Sequence, residues 1–215
     1  MMEDLFASQT DNPTPLRLGE GVMLLPGYAR QLADDLLGDI DLLTVTAPFR
    51  HMLTPGGQAM SVAMSNCGEL GWISDRRGYR YSPIDPHSGL PWPAMPAHWR
   101  DLAATAAQLA GFAGFNSNAC LINRYAPACR MGLHQDRDER DFNHPIVTVS
   151  LGLPARFLLG GMTRSGPTSK IPLLHGDVIV WGGVDRLRFH GIAPLAEGLH
   201  PRAGAYRLSL TFRRA

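Results

Sequence analysis

The 215-residue sequence predicts an α+β fold that is mainly β, an antiparallel sandwich or jelly roll with flanking N-terminal helices. Three observations carry this. After residue 118, short β-type runs follow one another at 119–125, 132–136, 145–152, 155–160, 171–174, 177–182, 186–191 and 205–213, separated by turn residues. Helical periodicity is confined to two segments before that point. The chain also holds 23 glycines and 17 prolines, above the roughly 12% average for the two together, as a turn-rich fold requires.

In chain order, residues 1–20 form a polar, proline-interrupted lead-in. A helix is predicted around 28–43, where Leu32, Leu36, Ile40 and Leu43 recur at spacings of four and three. A second is predicted at about 97–110, after Pro96, with Trp99, Leu102, Ala106 and Leu109 on one face and Gly111 as the stop. Between them, 49–95 is rich in Gly, Pro, Ser, Tyr and Trp, with short strands at most; it reads as a binding lid. The whole chain is expected to be one domain, with helices and lid in 1–118 and the β core in 119–215.

Composition excludes several classes. Apolar content of 45% and charged content of 18% describe an ordinary soluble globule. No apolar run approaches the ~20 residues that span a bilayer, and the acidic start lacks a signal-peptide core, so a cytoplasmic protein with no membrane partner is expected. Cys67, Cys120 and Cys129 form no paired framework, in keeping with a reducing compartment. A net charge of +1 does not advertise a general duplex binder. The 19 arginines beside one lysine are equally a base-composition effect and carry little weight.

The chemistry concentrates in His134-Gln135-Asp136 and, 54 positions later, His190. Two imidazoles and one carboxylate are the ligand set of a non-haem Fe(II) centre with open positions. The pattern alone is weak: with eight histidines and fourteen aspartates in 215 residues, chance supplies about half a His-x-Asp, and this chain has two. In an extended 132–136 segment, residues i and i+2 share a face and reach one metal. The rival, His175-Gly176-Asp177, reads as a tight turn feeding the buried run Val178-Ile-Val-Trp181. In 186–191, Leu187 and Phe189 are expected on one face and His190 on the other; a strand histidine is more often structural than a ligand.

The strand 205–213 alternates cleanly. Tyr206, Leu208, Leu210 and Phe212 are expected to face the core; Arg207, Ser209, Thr211 and Arg213 face either solvent or a jelly-roll cavity. Six residues put the two arginine Cα atoms roughly 20 Å apart, and inward-leaning guanidinium groups would flank a small diacid. Asn123 and Tyr125 share a face with Leu121 and oppose Ile122, as an edge strand or as donors to the same diacid.

Leu121-Ile-Asn-Arg-Tyr-Ala-Pro127, Leu133-His-Gln-Asp136, Ser150-Leu-Gly-Leu-Pro154, His175-Gly-Asp-Val-Ile-Val-Trp-Gly-Gly183, His190-Gly-Ile192 and Leu210-Thr-Phe-Arg213 together resemble the bacterial AlkB family. The likeness extends to Thr54-Pro-Gly-Gly57, Ser61-Val-Ala-Met64, Gly71-Trp72 and Tyr81-Ser-Pro-Ile-Asp-Pro86. The resemblance implies a double-stranded β-helix and oxidative demethylation of N-alkylated bases of the 1-methyladenine and 3-methylcytosine type. Fe(II), O2 and 2-oxoglutarate are consumed or used, and formaldehyde, succinate and CO2 are released. It implies iron on His134, Asp136 and His190, and 2-oxoglutarate on Asn123, Tyr125, Arg207, Ser209 and Arg213. Trp72, Tyr79, Tyr81, Asp138 and Arg164 become contacts to single- or double-stranded alkylated DNA, with RNA a further polymer within reach, and the working unit a monomer. The family usually carries Asn where this chain has Ser209, which loses a co-substrate hydrogen bond or exchanges it for water. Two rivals stand beside this reading: a 2-oxoglutarate-dependent oxygenase acting on a non-nucleic-acid substrate, and a metal-binding jelly roll without turnover.

Overall fold

A computed structural model describes residues 14–215; the first part of the lead-in lies outside the described residues. The strands are β1 (Leu16–Arg17), β2 (Val22–Leu25), β3 (Arg50–Leu53), β4 (Ala59–Gly68), β5 (Gly71–Asp75), β6 (Gly78–Ser82) and β7 (Ala119–Tyr125). They continue as β8 (Met131–His134), β9 (Ile146–Gly152), β10 (Ala155–Leu159), β11 (Ser169–Leu173), β12 (Val178–Trp181), β13 (His190–Ile192) and β14 (Arg207–Arg213). Eight of them form one antiparallel sheet in the order β1-β2-β12-β9-β14-β7-β4-β3, facing a four-stranded sheet β11-β10-β13-β8. This is the expected jelly roll. β5 and β6 make a separate hairpin within the segment expected as a lid.

The large sheet buries both faces. Helices α1 (Ala33–Thr46) and α2 (Ala97–Leu109) cover one face. There Leu36, Ile40, Trp99, Ala103 and Ala106 pack against Ile122, Val149, Leu210 and Phe212. The other face meets the small sheet, where Leu121, Ile146, Phe157, Ile171 and Ile179 form a second core. Each large apolar side chain removed from water contributes roughly 1.5–3 kcal/mol.

The first helix begins at Ala33, later than its periodicity suggests, because Pro26-Gly27 makes a turn. The Gly27 N–H donates to Asp177 Oδ1 (2.7 Å), and the Ala29 N–H donates to the Gly176 carbonyl (2.8 Å). In α2, Leu109 is exposed rather than on the buried face, since the helix stops there and Ala107 takes that place. The larger departure is β4. Its ten residues belong to the main sheet, with Val62–Cys67 buried, so 49–95 holds more than the short strands expected there.

β14 shows the alternation that the sequence carries. Leu208, Leu210 and Phe212 enter the helix-side core, while Arg207, Ser209, Thr211 and Arg213 face the cavity between the sheets. Tyr206 does not follow: it precedes the strand, is 40% exposed and lies under the Arg124 guanidinium at 5.0 Å.

Candidate metal centre and co-substrate pocket

A cavity of about 770 Å³ opens between the two sheets, under the β5–β6 hairpin. Every residue singled out as metal-binding, co-substrate-binding or base-contacting lines it.

His134 ends β8, and His190 begins β13 directly opposite it in register. Their rings lie 4.4 Å apart between centroids. Two expectations about local geometry need correction here. Asp136 lies beyond the end of β8, so a loop rather than strand phase brings it to the histidines. Residues 186–189 are not a strand, so Phe189 lines the cavity together with His190 instead of opposing it. Gly191 permits the close approach, since a Cβ there would stand 2.5 Å from the Met131 carbonyl oxygen.

Donor atoms of His134, Asp136 and His190 all lie within 4.8 Å of one another. Asp136 Oδ1 is 3.4 Å from His134 Nε2, and Oδ2 is 3.7 Å from His190 Nε2. Each imidazole has its Nδ1 beside a carbonyl, Gly132 O at 2.9 Å and Arg188 O at 3.0 Å. A carbonyl only accepts, so Nδ1 carries the proton and the Nε2 lone pair points at Asp136. That is the tautomer a metal requires.

Charge is distributed unevenly in the pocket. Burial opposes ionisation of Asp136, but Arg213 and the two histidines hold its carboxyl well below the usual range. Burial and the neighbouring His134 push His190 down to about 4. Burial penalises the charged form of His134 most, but once Nε2 is protonated the hydrogen bond and charge attraction to Asp136, with the Gly132 carbonyl, together outweigh this and raise its pKa. Arg213 spends its donors on acids, with Nε 3.0 Å from Asp136 Oδ2 and 3.2 Å from Glu139 Oε1. Arg207 has no such partner. It is 0% exposed, its Nε donates to Ser150 Oγ (3.2 Å), and its guanidinium lies over the Tyr125 ring at 4.9 Å.

Both Arg207 Nη atoms and Asn123 Oδ1 are buried without a hydrogen-bond partner. A buried cation without a counterion is unstable by several kcal/mol unless a ligand completes it. A carboxylate at this end of the cavity supplies the missing partner. The donor set on the other side suits iron, and the residues therefore fit both groups. Ser209 and Tyr125 line the same end.

At the mouth, Trp72 stacks on Tyr79 with centroids 5.6 Å apart and planes 14° apart. Trp72 Nε1–H donates to Asp138 Oδ2 (2.8 Å), and Tyr81 OH donates to Glu139 Oε1 (2.6 Å). Arg164 is exposed at the rim and donates to the Leu133 carbonyl (2.6 Å). The Asn66 side chain pairs with both the N–H and the carbonyl of Trp72 (2.9 and 3.0 Å), fixing this residue to β4. Two site residues were not found from the sequence, Glu139 and Trp181. Glu139 lies in the charged run Asp136–Asp141, where nothing separates a buried acid from solvated neighbours. Trp181 belongs to an apolar strand and carried no polar signal.

The jelly roll, the two-imidazole, one-carboxylate donor set and the orphan guanidinium define an iron- and 2-oxoglutarate-dependent oxygenase. Residues 21–213 match the family model of the 2OG-Fe(II) oxygenase superfamily. The chain is 51% identical over 214 residues to the alpha-ketoglutarate-dependent dioxygenases AlkB of Salmonella typhimurium and Escherichia coli, covering 100% of this chain and 98% of each. It is 32% identical over 124 residues to the mouse nucleic acid dioxygenase ALKBH1, covering 57% of this chain and 31% of that one. The solved structure of OsALKBH1 superposes with a TM-score of 0.82 at 27% identity, covering 94% of this chain and 100% of that one. This chain belongs to the AlkB family, and its cofactor set is Fe(II), 2-oxoglutarate and O2.

Proposed function

We propose that this oxygenase removes alkyl groups from nucleobases of the 1-methyladenine and 3-methylcytosine type in single- or double-stranded DNA, and in RNA where the base is presented unpaired. The observation that carries the reading is one cavity holding the iron donor set at its floor, an orphan guanidinium at one end and stacked aromatic rings with acids at its mouth. When bound, iron and 2-oxoglutarate turn dioxygen into the oxidant that hydroxylates an N-methyl carbon, with succinate and CO2 as co-products and formaldehyde as the carbon released.

The chain's own residues then bind, orient and exclude water. Arg207, with Asn123, Tyr125 and Ser209, receives the far carboxylate of 2-oxoglutarate. Arg213 neutralises Asp136 and lines the metal side. Trp72 and Tyr79 offer π-faces to a flipped base, each stacking contact worth about 1–3 kcal/mol. A cationic methylated base adds cation–π attraction there. Asp138 and Tyr81 meet its edge, and Arg164 lies where a flanking phosphate would pass. All these groups come from one chain, so a monomer suffices. Its three thiols are free, in keeping with the cytoplasm.

Formaldehyde release from oligonucleotides carrying either lesion, with and without 2-oxoglutarate, tests this. Succinate formed without any nucleic-acid-dependent formaldehyde would move the protein to a non-nucleic-acid substrate.

A further inference from the structure

Three arginines are buried in the described residues: Arg186, Arg207 and Arg213. The last two face the cavity, but Arg186 does not line it. We propose that Arg186 is the positioning residue that locks the carboxylate-bearing loop to the second histidine segment, so that metal and base-edge acids keep one fixed relation. This inference rests on the oxygenase reading above.

The geometry is specific. Arg186 Nε donates to the His144 carbonyl (3.0 Å) and Nη1 to the Asp136 carbonyl (2.7 Å), while Nη2 lies 3.1 Å from Glu139 Oε2. The Phe142 ring covers the guanidinium at 5.5 Å. All four partners belong to residues 135–144, a segment without helix or strand. That segment supplies Asp136 to the metal and Asp138 and Glu139 to the cavity.

On its own side, Arg186 closes a turn through its N–H to the Gly183 carbonyl (3.0 Å), four residues before His190. The adjacent Leu187 carbonyl accepts from Gln135 Nε2 (2.6 Å), doubling the tie. Asp136 thus has its carboxylate held by Arg213 and its main chain by Arg186. Glu139 bridges the same two cations. A planar guanidinium with donors in three directions makes this possible, and an ammonium on a flexible stem does not reproduce it. Groups one step removed from a metal typically change metal affinity or activity by about 10- to 100-fold.

The test uses Arg186→Lys, which keeps the charge, and Arg186→Met, which keeps the volume. Co(II) titrated into the metal-free protein is followed by its d–d absorption, and succinate and formaldehyde are counted together on a methylated oligonucleotide. Arg186→Lys is expected to fold, to weaken Co(II) about ten-fold, and to raise the succinate-to-formaldehyde ratio several-fold, with the 2-oxoglutarate KM little changed. Wild-type Co(II) affinity and an unchanged ratio in a folded variant would overturn the proposal. So would parallel loss of succinate, formaldehyde and thermal stability in both variants, which marks a structural brace. If wild-type protein forms no formaldehyde, the demethylation reading fails instead, and the Co(II) arm alone decides the role of Arg186.

Discussion

Two His-x-Asp pairs occur in this chain, and the fold uses their atoms in opposite ways. In His134-Gln135-Asp136 the imidazole Nδ1 faces a carbonyl, which frees Nε2 as a ligand. In His175-Gly176-Asp177 the Nδ1 instead accepts the Gly152 N–H (2.9 Å), so the proton of the neutral ring sits on Nε2. Asp177 likewise spends both oxygens on main-chain donors, Gly27 N and Leu174 N, each at 2.7 Å. Gly176, at φ +86°, has no room for a Cβ, which would lie 2.8 Å from the Arg30 backbone. One pair ties strand ends to the turn that precedes α1; the other leaves its donor atoms facing one another across the cavity. Residue identity and spacing are the same, and the difference lies in whether main-chain donors or acceptors surround the side chains.

His134→Ala should abolish iron retention and turnover, while His175→Ala should leave the bound iron stoichiometry at the wild-type value. Iron loss from the second variant would erase the distinction.

Next come the arginines on β14. Arg207→Met should raise the 2-oxoglutarate KM at least ten-fold. It should also make the co-substrate-free protein no less stable in thermal melts, because a buried cation without a counterion is replaced by an apolar chain. Arg213→Ala should weaken 2-oxoglutarate too, but should also loosen iron, since Asp136 loses its partner. Identical iron affinities in the two variants would show that Arg213 does not act through Asp136.

Asp177→Ala should cost about 1–3 kcal/mol of stability by removing the acceptor of two partly buried N–H groups, measurable by urea unfolding, with the iron affinity retained.

The smallest effect is a pH dependence. Burial, then the charge of His200 and Arg30, holds the His175 pKa below its ordinary value. The unfolded chain therefore binds a proton near pH 6.5 that the folded chain refuses. Stability from this group is complete above that pH and declines as pH falls below it. His175→Asn keeps an acceptor for Gly152 and should flatten the decline in unfolding midpoints between pH 7 and 5. An unaltered slope would place the acid sensitivity elsewhere.

How far the sequence could be read follows from the same physics. The phase of β14 and β7 was legible because each strand separates an apolar face from a polar, cavity-lining one. β4 was not, because Ser65 and Asn66 are buried where alternation would place apolar residues. Ser65 Oγ–H donates to the Ala47 carbonyl, and Asn66 holds Trp72. Glu139 and Arg186 were hidden in charged runs, where burial depends on a loop path that no periodicity encodes. The candidate iron ligands were legible as residue types, and a turn reading with the family resemblance already favoured one His-x-Asp pair; the hydrogen bonds around the two pairs supply the physical reason.

The position of β14 has a consequence for biosynthesis. It is the last of the fourteen strands in the chain, yet it lies in the middle of the large sheet, between β7 and β9. As the chain emerges, β7 and β9 must wait with open edges for a strand that follows them by more than 50 residues. Such long-range closure is slow and leaves edges exposed to mispairing. His134, Asp136 and His190, the candidate iron ligands, leave the ribosome before Arg207 and Arg213, so a nascent chain carries a metal-type donor set before it has a pocket to restrain it.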